Sequence, residues 1–280
     1  MHLLLLLSIG CPSATETKDP GKADSDGDGL SDGEEADLGS NPALADSDAD
    51  GLDDAREVEL GTSLTVADSD GDTYWDSWEV TEGTNPLDAE SRIYVGYWPY
   101  NPNKETMVDP GWDARAREGN ALPRFAYVDQ FGDTVDIYDF AGQGKPVLLD
   151  LSGAWCYYCQ EVAKMIEGRR NYFDPYAAEV AWVDGLQPLI ESGDLLWVTV
   201  LDADSRQNTI DAEEVAEWYD SYTNEFVPVL GDVDMDLASW INPPGYPTMM
   251  LLDENLVIHT FDKNDYTVSF DAALAWEYPQ

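Results

Sequence analysis

The sequence predicts an α/β fold for residues 117–280, preceded by an acidic repeat array with little regular secondary structure. Two observations predict this arrangement. In the C-terminal part, short apolar runs typical of buried strands alternate with helical patterns, which indicates a central mixed sheet flanked by helices. In residues 24–90, acidic residues recur at a fixed spacing and few apolar residues are available to form a core.

The charge balance restricts the partners. The 280 residues include 57 Asp and Glu but only 14 Lys and Arg, which gives a formal net charge of −43. Such a surface repels phosphate backbones, so we expect no nucleic-acid partner. Residues 24–90 alone hold 22 acidic residues against one basic residue, Arg56, and this block needs a specific explanation.

The N-terminus has the pattern of an export signal. Residues 3–10 form an apolar run that is too short to span a bilayer, and residues 1–10 are typical of a signal peptide. The sequence Ser-Ile-Gly-Cys that ends at Cys11 resembles a bacterial lipobox. The resemblance implies that Cys11 is lipidated, that residues 11–23 are a tether, and that the protein is anchored to a membrane outside the cytoplasm, in the periplasm or at the cell surface. The alternative is a plain secretory signal with a coincidental cysteine.

Three copies of one acidic pattern begin at residues 24, 46 and 68, a period of 22 residues. A calcium ion takes six to eight oxygens at about 2.3–2.6 Å from a loop that wraps around it, and acids at positions 1, 3, 5, 9 and 12 supply such a loop. We therefore predict about three calcium ions per chain and no organic cofactor. The fifteen predicted ligands are Asp24, Asp26, Asp28, Asp32, Glu35, Asp46, Asp48, Asp50, Asp54, Glu57, Asp68, Asp70, Asp72, Asp76 and Glu79.

The third copy differs at position 6, where Thr73 replaces the glycine of the sharp turn, so we expect that turn to be strained. A disordered acidic linker is the alternative to calcium binding, but the common register of the three copies favours calcium. A period of 22 residues leaves no room for the two helices of an EF-hand, and the copies resemble thrombospondin type 3 repeats. Since they bury little apolar surface, we expect them to be largely unfolded without the ion.

The elements after residue 117 follow in order. A hairpin around Gly132 is predicted from residues 125–128 and 134–137. The other predicted elements are a strand at 146–151, a helix from 156 to about 170, a strand at 195–201, a helix opened by a capping box at 211–214, strands at 247–252 and 256–261, and a helix at 269–276. Residues 91–116 have no assigned place, and residues 171–194 have room for an additional helix.

Cys156 and Cys159 stand two residues apart at a predicted helix start, where they can close into a small disulfide. A helix N-terminus stabilises a thiolate, which is the form that attacks disulfides. Structural zinc needs four ligands, and beyond this pair the mature chain has one histidine, His259, in an apolar strand-like run. A purely structural disulfide is the alternative, although so small a loop constrains the unfolded chain very little.

The sequence Gly-Lys-Pro-Val-Leu-Leu-Asp-Leu-Ser-Gly-Ala-Trp-Cys-Tyr-Tyr-Cys at 144–159 resembles the active-site strand and loop of the thioredoxin superfamily. It is most similar to the TlpA/ResA type of membrane-tethered thiol–disulfide oxidoreductase. The sequence Gly-Tyr-Pro-Thr at 245–248 is similar to the cis-proline loop of that family. The resemblance covers about residues 117–280 and implies a thioredoxin-like fold.

The resemblance also implies roles for five residues. Cys156 is the attacking thiol and Cys159 the resolving one. Trp155 shields the pair, Pro247 holds the backbone of the substrate chain, and Asp150 accepts a proton from the resolving thiol. The implied partners are proteins with disulfides or thiols and a redox partner protein. The Tyr-Tyr dipeptide between the cysteines departs from the Gly-Pro or Pro-Pro of the family, which leaves the direction of electron flow open.

The leading hypothesis is therefore disulfide exchange with partner proteins outside the cytoplasm. The second is a calcium-dependent surface or adhesion lipoprotein whose thioredoxin-like domain is inactive. A peroxidase ranks last, because that chemistry needs Thr or Ser three residues before the attacking cysteine, where this chain has Gly153.

Overall fold

The computed structural model describes residues 23–169, 177–204, 206–263 and 266–278, with only the backbone of 177–180. The chain divides into two compact units, Met1–Ile93 and Tyr94–Gln280. The predicted signal peptide, Cys11 and all but the last residue of the predicted tether lie outside the described residues. Among the described helices, none has both the length and the apolar character needed to cross a membrane.

The acidic unit consists of three loops, each followed by a helix of seven residues. The helices end where a glycine takes a left-handed conformation, which glycine adopts without the steric cost of a side chain. Their bounds are α1 Asp32–Leu38, α2 Asp54–Leu60 and α3 Asp76–Glu82. These short elements agree with the predicted array of little regular secondary structure.

The interior of the acidic unit is built from carboxylates. Of its described residues, the hydrophobic ones that are buried are Leu64 and Tyr74. The buried acids are more numerous: Glu35, Asp50, Asp54, Glu57, Asp72, Asp76 and Glu79. Burial of apolar surface therefore contributes little to the stability of this unit.

The second unit contains a seven-stranded sheet in the order β2-β1-β5-β4-β3-β6-β7. Its strands are β1 Ala126–Asp129, β2 Thr134–Asp136, β3 Val147–Gly153, β4 Leu196–Ala203, β5 Val229–Gly231, β6 Thr248–Leu252 and β7 Ile258–Asp262. Strand β3 runs parallel to β4 and antiparallel to β6. All seven residues of β3 are buried, as its continuous apolar sequence predicts for a strand covered on both faces.

Five helices belong to this unit: α4 Tyr157–Ile166, α5 Ala177–Glu191, α6 Ala212–Ser221, α7 Asp236–Ile241 and α8 Thr267–Leu274. One hydrophobic cluster joins Leu148 of β3 to Met165 of α4, Leu186 of α5 and Phe270 of α8. The sheet order, together with a helix that directly follows the central strand, is the thioredoxin-like arrangement. The predicted fold class is confirmed.

Some elements differ from the expectation. Helix α5 occupies the region where an additional helix had room. Helix α7 has no predicted counterpart; it is only six residues long and follows Met235, whose φ is +59°. Strand β7 begins at Ile258 because Leu256, with φ +59°, still belongs to the preceding turn. His259 is exposed on this edge strand.

Residues 94–116, which had no predicted place, pack against the hairpin of the second unit. The Tyr94 hydroxyl donates to Asp139 Oδ2 at 2.6 Å, and the backbone N–H of Asn101 donates to Asp139 Oδ1 at 2.9 Å. The indole N–H of Trp98 donates to Asp129 Oδ2 at 2.7 Å. The segment is therefore held by buried acids of the hairpin and the turn after it.

Candidate functional site

The two cysteines lie where β3 passes into α4. Cys156 is the N-cap residue of α4 and is joined to Cys159 by a disulfide, with 5.2 Å between their Cα atoms. The backbone N–H of Cys159 donates to Cys156 Sγ at 3.2 Å. Sulfur of Cys156 therefore faces the free N–H groups and the positive end of the helix dipole, which favour a thiolate there after reduction.

The two cysteines differ in exposure. Cys156 is 4% exposed and Cys159 is fully buried, so a partner can reach only Cys156. Trp155, which is 38% exposed, covers the loop just before them. A Cβ atom at Gly153 would stand 2.8 Å from Trp155 Nε1, so the indole lies where only glycine leaves room. Sequence reasoning had used Gly153 only to argue against a peroxidase.

Asp150 lies in the middle of β3 and is 3% exposed. Ser152 donates to its Oδ1 at 2.7 Å, and Thr199 of β4 donates to its Oδ2 at 3.5 Å. Burial raises the pKa of Asp150 to about 7, and these two hydrogen bonds oppose the shift. The carboxyl group therefore exchanges its proton near neutral pH.

Strand alternation places Asp150 on the face covered by α4. Its neighbours two residues apart on that face are Leu148 in β3 and, across the strand pair, Leu201 beyond Thr199 in β4. Leu148 packs against α4, and Leu201 belongs to the cluster that contains both cysteines. Asp150 thus lies beneath the helix that carries Cys159, as its predicted role requires.

The peptide bond between Tyr246 and Pro247 is cis, as the resemblance implies. Tyr246 packs against the cluster that contains Cys156 and Cys159, and its ring meets the Trp155 indole edge-on with 5.7 Å between centroids. The structure therefore brings the proline loop and the Cys-x-x-Cys loop together, although they are about 90 residues apart in the chain.

Asp202, near the end of β4, was missed by the sequence reasoning. It is 1% exposed, and the Tyr246 hydroxyl donates a hydrogen bond to its Oδ2. Burial raises the pKa of Asp202, the bond from Tyr246 lowers it, and the nearby charge of Asp232 raises it. The only available signal in the sequence was an acidic residue directly after a predicted buried strand, which is ordinary for a strand end.

The fifteen predicted calcium ligands form three groups in the acidic unit. In each loop the first three acids place carboxylate oxygens within 4.8 Å of one another. These trios are Asp24, Asp26 and Asp28, then Asp46, Asp48 and Asp50, then Asp68, Asp70 and Asp72. The acid at position 12 of each copy is fully buried in the following helix, at Glu35, Glu57 and Glu79.

Several of these buried carboxylate oxygens have no hydrogen-bond partner within the described chain. They include both oxygens of Glu35, one each of Glu57 and Glu79, and Oδ2 of the position 3 acids Asp26, Asp48 and Asp70. Burial and neighbouring acids raise the pKa of Glu35 and Glu79 to about 7 and that of Glu57 to about 8. Unpaired buried carboxylates are costly unless a cation accompanies them, so the donor set fits calcium.

Neighbouring copies are also joined directly. Asp28 Oδ2 accepts a hydrogen bond from the backbone N–H of Ala55 at 3.1 Å. Asp50 Oδ2 accepts from the N–H of Ser77 at 3.1 Å, and the Ser77 hydroxyl donates to the Asp50 carbonyl at 2.6 Å. The acid at position 5 of one copy therefore holds the start of the next copy's helix.

The fold and the site define a thioredoxin-like domain with a Cys-x-x-Cys disulfide, preceded by acidic repeats. The family described as the bacterial TSP3 repeat matches residues 24–45 and 68–89, the first and third copies, which confirms the resemblance for them. No curated protein matches the chain.

Solved structures of thioredoxin-like proteins resemble the second unit. A thioredoxin-like protein from Bacteroides caccae is 13% identical with a TM-score of 0.43, over 58% of this chain and 51% of that one, so this chain spans about half of its length. A putative thiol:disulfide interchange protein DsbE from Chlorobium tepidum is 19% identical with a TM-score of 0.40, over 56% and 92% of the two chains. A secreted disulfide oxidoreductase of Mycobacterium tuberculosis is 17% identical with a TM-score of 0.38, over 54% and 94%.

Proposed function

We propose that this protein is a thiol–disulfide oxidoreductase that exchanges disulfides with partner proteins outside the cytoplasm. One observation carries the proposal: the Cys156–Cys159 disulfide caps the N-terminus of α4 with only Cys156 in reach of solvent. A buried disulfide that served stability alone would need neither the helix N-terminus nor the difference in exposure.

The exchange follows from this geometry. In the reduced protein the Cys156 thiolate attacks one sulfur of a partner disulfide, so a mixed disulfide forms and the other partner sulfur leaves as a thiolate. Asp150 takes the proton of Cys159, and the Cys159 thiolate then attacks the Cys156 sulfur. The partner is released with both sulfurs reduced, and the Cys156–Cys159 disulfide is restored. The same steps in reverse oxidise a partner dithiol.

Reduction of insulin tests the proposal. The purified mature chain in calcium buffer should turn over insulin disulfides with dithiothreitol as the electron donor, at a rate above that of dithiothreitol alone. A folded chain that gives no such turnover would favour the alternative, a calcium-dependent surface or adhesion lipoprotein whose thioredoxin-like domain is inactive.

For the acidic unit we propose about three calcium ions, held by the fifteen acids at positions 1, 3, 5, 9 and 12. The buried carboxylate oxygens without a hydrogen-bond partner support this proposal most directly. The ions would supply the positive charge that lets the carboxylates pack, and the repeats would act as a stalk. With Cys11 lipidated, that stalk would link the redox domain to a membrane facing the periplasm or the cell exterior.

A further inference from the structure

Tyr246 touches two groups of opposite character beside the disulfide. On one side, the edge of its ring meets the indole of Trp155, the residue before Cys156. On the other, its hydroxyl donates to the buried carboxylate of Asp202 at the end of β4. Asp202, Tyr246 and Trp155 thus form a chain of contacts that ends next to the reacting sulfur.

The Asp202 carboxylate is poorly placed as a device for stability. It is 1% exposed, and its Oδ1 has no hydrogen-bond partner within the described chain. Other buried acids in this unit are better satisfied: Asp129 accepts from three groups, Trp98, Phe131 and Asp133. A buried carboxylate with a single donor costs more free energy than that one bond returns. Its position therefore calls for a reason other than folding.

The neighbouring charges limit what Asp202 can do. Asp232 is the charged residue that acts on it, through repulsion, and Asp232 is itself buried and held by the backbone N–H groups of Asp236 and Ala238. No cation pairs with Asp202 among the described residues' ion pairs. The Tyr246 hydroxyl is accordingly the group through which Asp202 exerts its effect.

We infer that Asp202 is a positioning residue for the proposed disulfide exchange. Its hydrogen bond fixes the Tyr246 ring, and that ring fixes the Trp155 indole beside Cys156. Since Cys156 is only 4% exposed, the placement of these two rings determines how a polypeptide can approach its sulfur. The inference rests on the proposed function, and it concerns recognition of extended polypeptide disulfides in particular. A small dithiol needs far less of that surface.

Two substitutions separate the bond from the ring and the carboxylate. Tyr246→Phe keeps the aromatic contact with Trp155 but removes the hydroxyl. Asp202→Asn keeps an acceptor for that hydroxyl, whereas Asp202→Ala removes it. Tyr94→Phe is the matched control, because Tyr94 also donates to a buried acid, Asp139, but contacts a different part of the domain.

The test compares two reactions. One is the single-turnover reduction of insulin by the pre-reduced protein, and the other is reduction of the Cys156–Cys159 disulfide by dithiothreitol. Loss of one buried hydrogen bond should lower kcat/KM for insulin by about tenfold in Tyr246→Phe and Asp202→Ala. The rate with dithiothreitol should change by less than about twofold, and Asp202→Asn and Tyr94→Phe should stay within about twofold of the parent in both reactions.

The position of Trp155 is read independently by fluorine NMR of protein labelled with 5-fluorotryptophan, with the Trp155 resonance assigned from Trp155→Phe. Tyr246→Phe should shift or broaden that resonance, and Tyr94→Phe should leave it unchanged. An unchanged resonance together with parental insulin kinetics in Tyr246→Phe would overturn the inference. Equal losses with insulin and dithiothreitol would overturn it as well, because the effect would then lie in the disulfide itself.

The same experiment keeps the two proposals apart. If the parent protein fails to reduce insulin, the proposed function fails, while the Trp155 resonance still reports whether Asp202 and Tyr246 position the indole. If Asp202→Ala does not fold, as judged by circular dichroism, Tyr246→Phe alone carries the test.

Discussion

The backbone N–H of Cys159 donates to the sulfur of Cys156 over 3.2 Å, at the first turn of α4. This contact gives the two cysteines different chemistry although they share one disulfide. A negative charge on Cys156 is stabilised by the helix N-terminus, whereas Cys159 is fully buried one turn further along the helix. The reaction should therefore start at Cys156 and end at Cys159.

Substitution of each cysteine by serine should reveal this asymmetry. Cys156→Ser should abolish insulin reduction and form no covalent complexes. Cys159→Ser should also stop turnover but accumulate mixed disulfides with partner proteins, because the thiol that resolves them is gone. Non-reducing gels, with and without added reductant, measure the complexes. Trapping by Cys156→Ser instead would mean that the attacking thiol has been misassigned.

Asp150 should make stability depend on pH. Its pKa is about 7 in the folded protein and about 3.9 in an unfolded chain, so the folded state holds the proton more tightly. Its contribution is fully present below about pH 4 and is lost as the pH rises toward 7, by at most about 4 kcal/mol. Asp150→Asn should remove this loss and should slow turnover by at least about tenfold, since the resolving thiol loses its proton acceptor.

The measurement is the free energy of unfolding by denaturant at several pH values, for both proteins at saturating calcium. The difference between them is what matters, because other carboxylates titrate equally in both. Parallel curves from pH 4 to pH 8 would show that Asp150 is not buried as a neutral acid.

The parts of this molecule that were predictable from sequence depend on local pattern. The Cys156–Cys159 spacing, the continuous apolar run of β3 and the register of acids in the repeats are each contained in a short stretch of chain. The pairing of Asp202 with Tyr246 is not, because 44 residues separate the partners and only the fold brings them together. The attachment of Tyr94 to Asp139 escaped prediction for the same reason, with 45 residues between them.

Thr73 is the point where the third calcium loop departs from the other two. Its φ is +89°, close to the +112° and +109° of the glycines at the same position, Gly29 and Gly51. A β-branched residue in this region is strained by about 1–2 kcal/mol. Thr73→Gly should therefore tighten calcium binding at the weakest site by about fivefold or more, as measured by calorimetry.

The reverse substitution is the control. A Cβ at Gly51 would lie 3.6 Å from Ser77 Oγ, an ordinary contact, so Gly51→Thr tests the backbone rather than the space around it. It should weaken one site by a similar factor. Unchanged affinities in both variants would show that the turn does not limit binding.

The predicted lipid anchor has a simple test. If Cys11 carries the lipid, Cys11→Ser should move the protein from the membrane fraction to the soluble fraction of cells that export it. Cys159→Ser serves as the control, since it removes a cysteine without touching the anchor. Retention of Cys11→Ser in the membrane fraction would point to another mode of attachment.

Removal of calcium should unfold the acidic unit and spare the thioredoxin-like one. The acidic unit buries carboxylates instead of apolar side chains, so without cations its interior consists of like charges in close contact. The second unit has its own apolar core around β3 and needs no ion for it. Amide hydrogen exchange in excess chelator should show lost protection in residues 24–90 and retained protection in β3, α4 and β4.

The contacts between copies make the loss cooperative. Asp28 holds the N–H of Ala55 in the next copy, and Asp50 holds that of Ser77. Glu57→Gln weakens the middle site, and because the middle copy makes both of these contacts, protection should fall in the first and third copies as well. Protection lost only in residues 46–67 would show that the copies fold independently. Full protection of residues 24–90 in chelator would show that calcium does not hold this unit together.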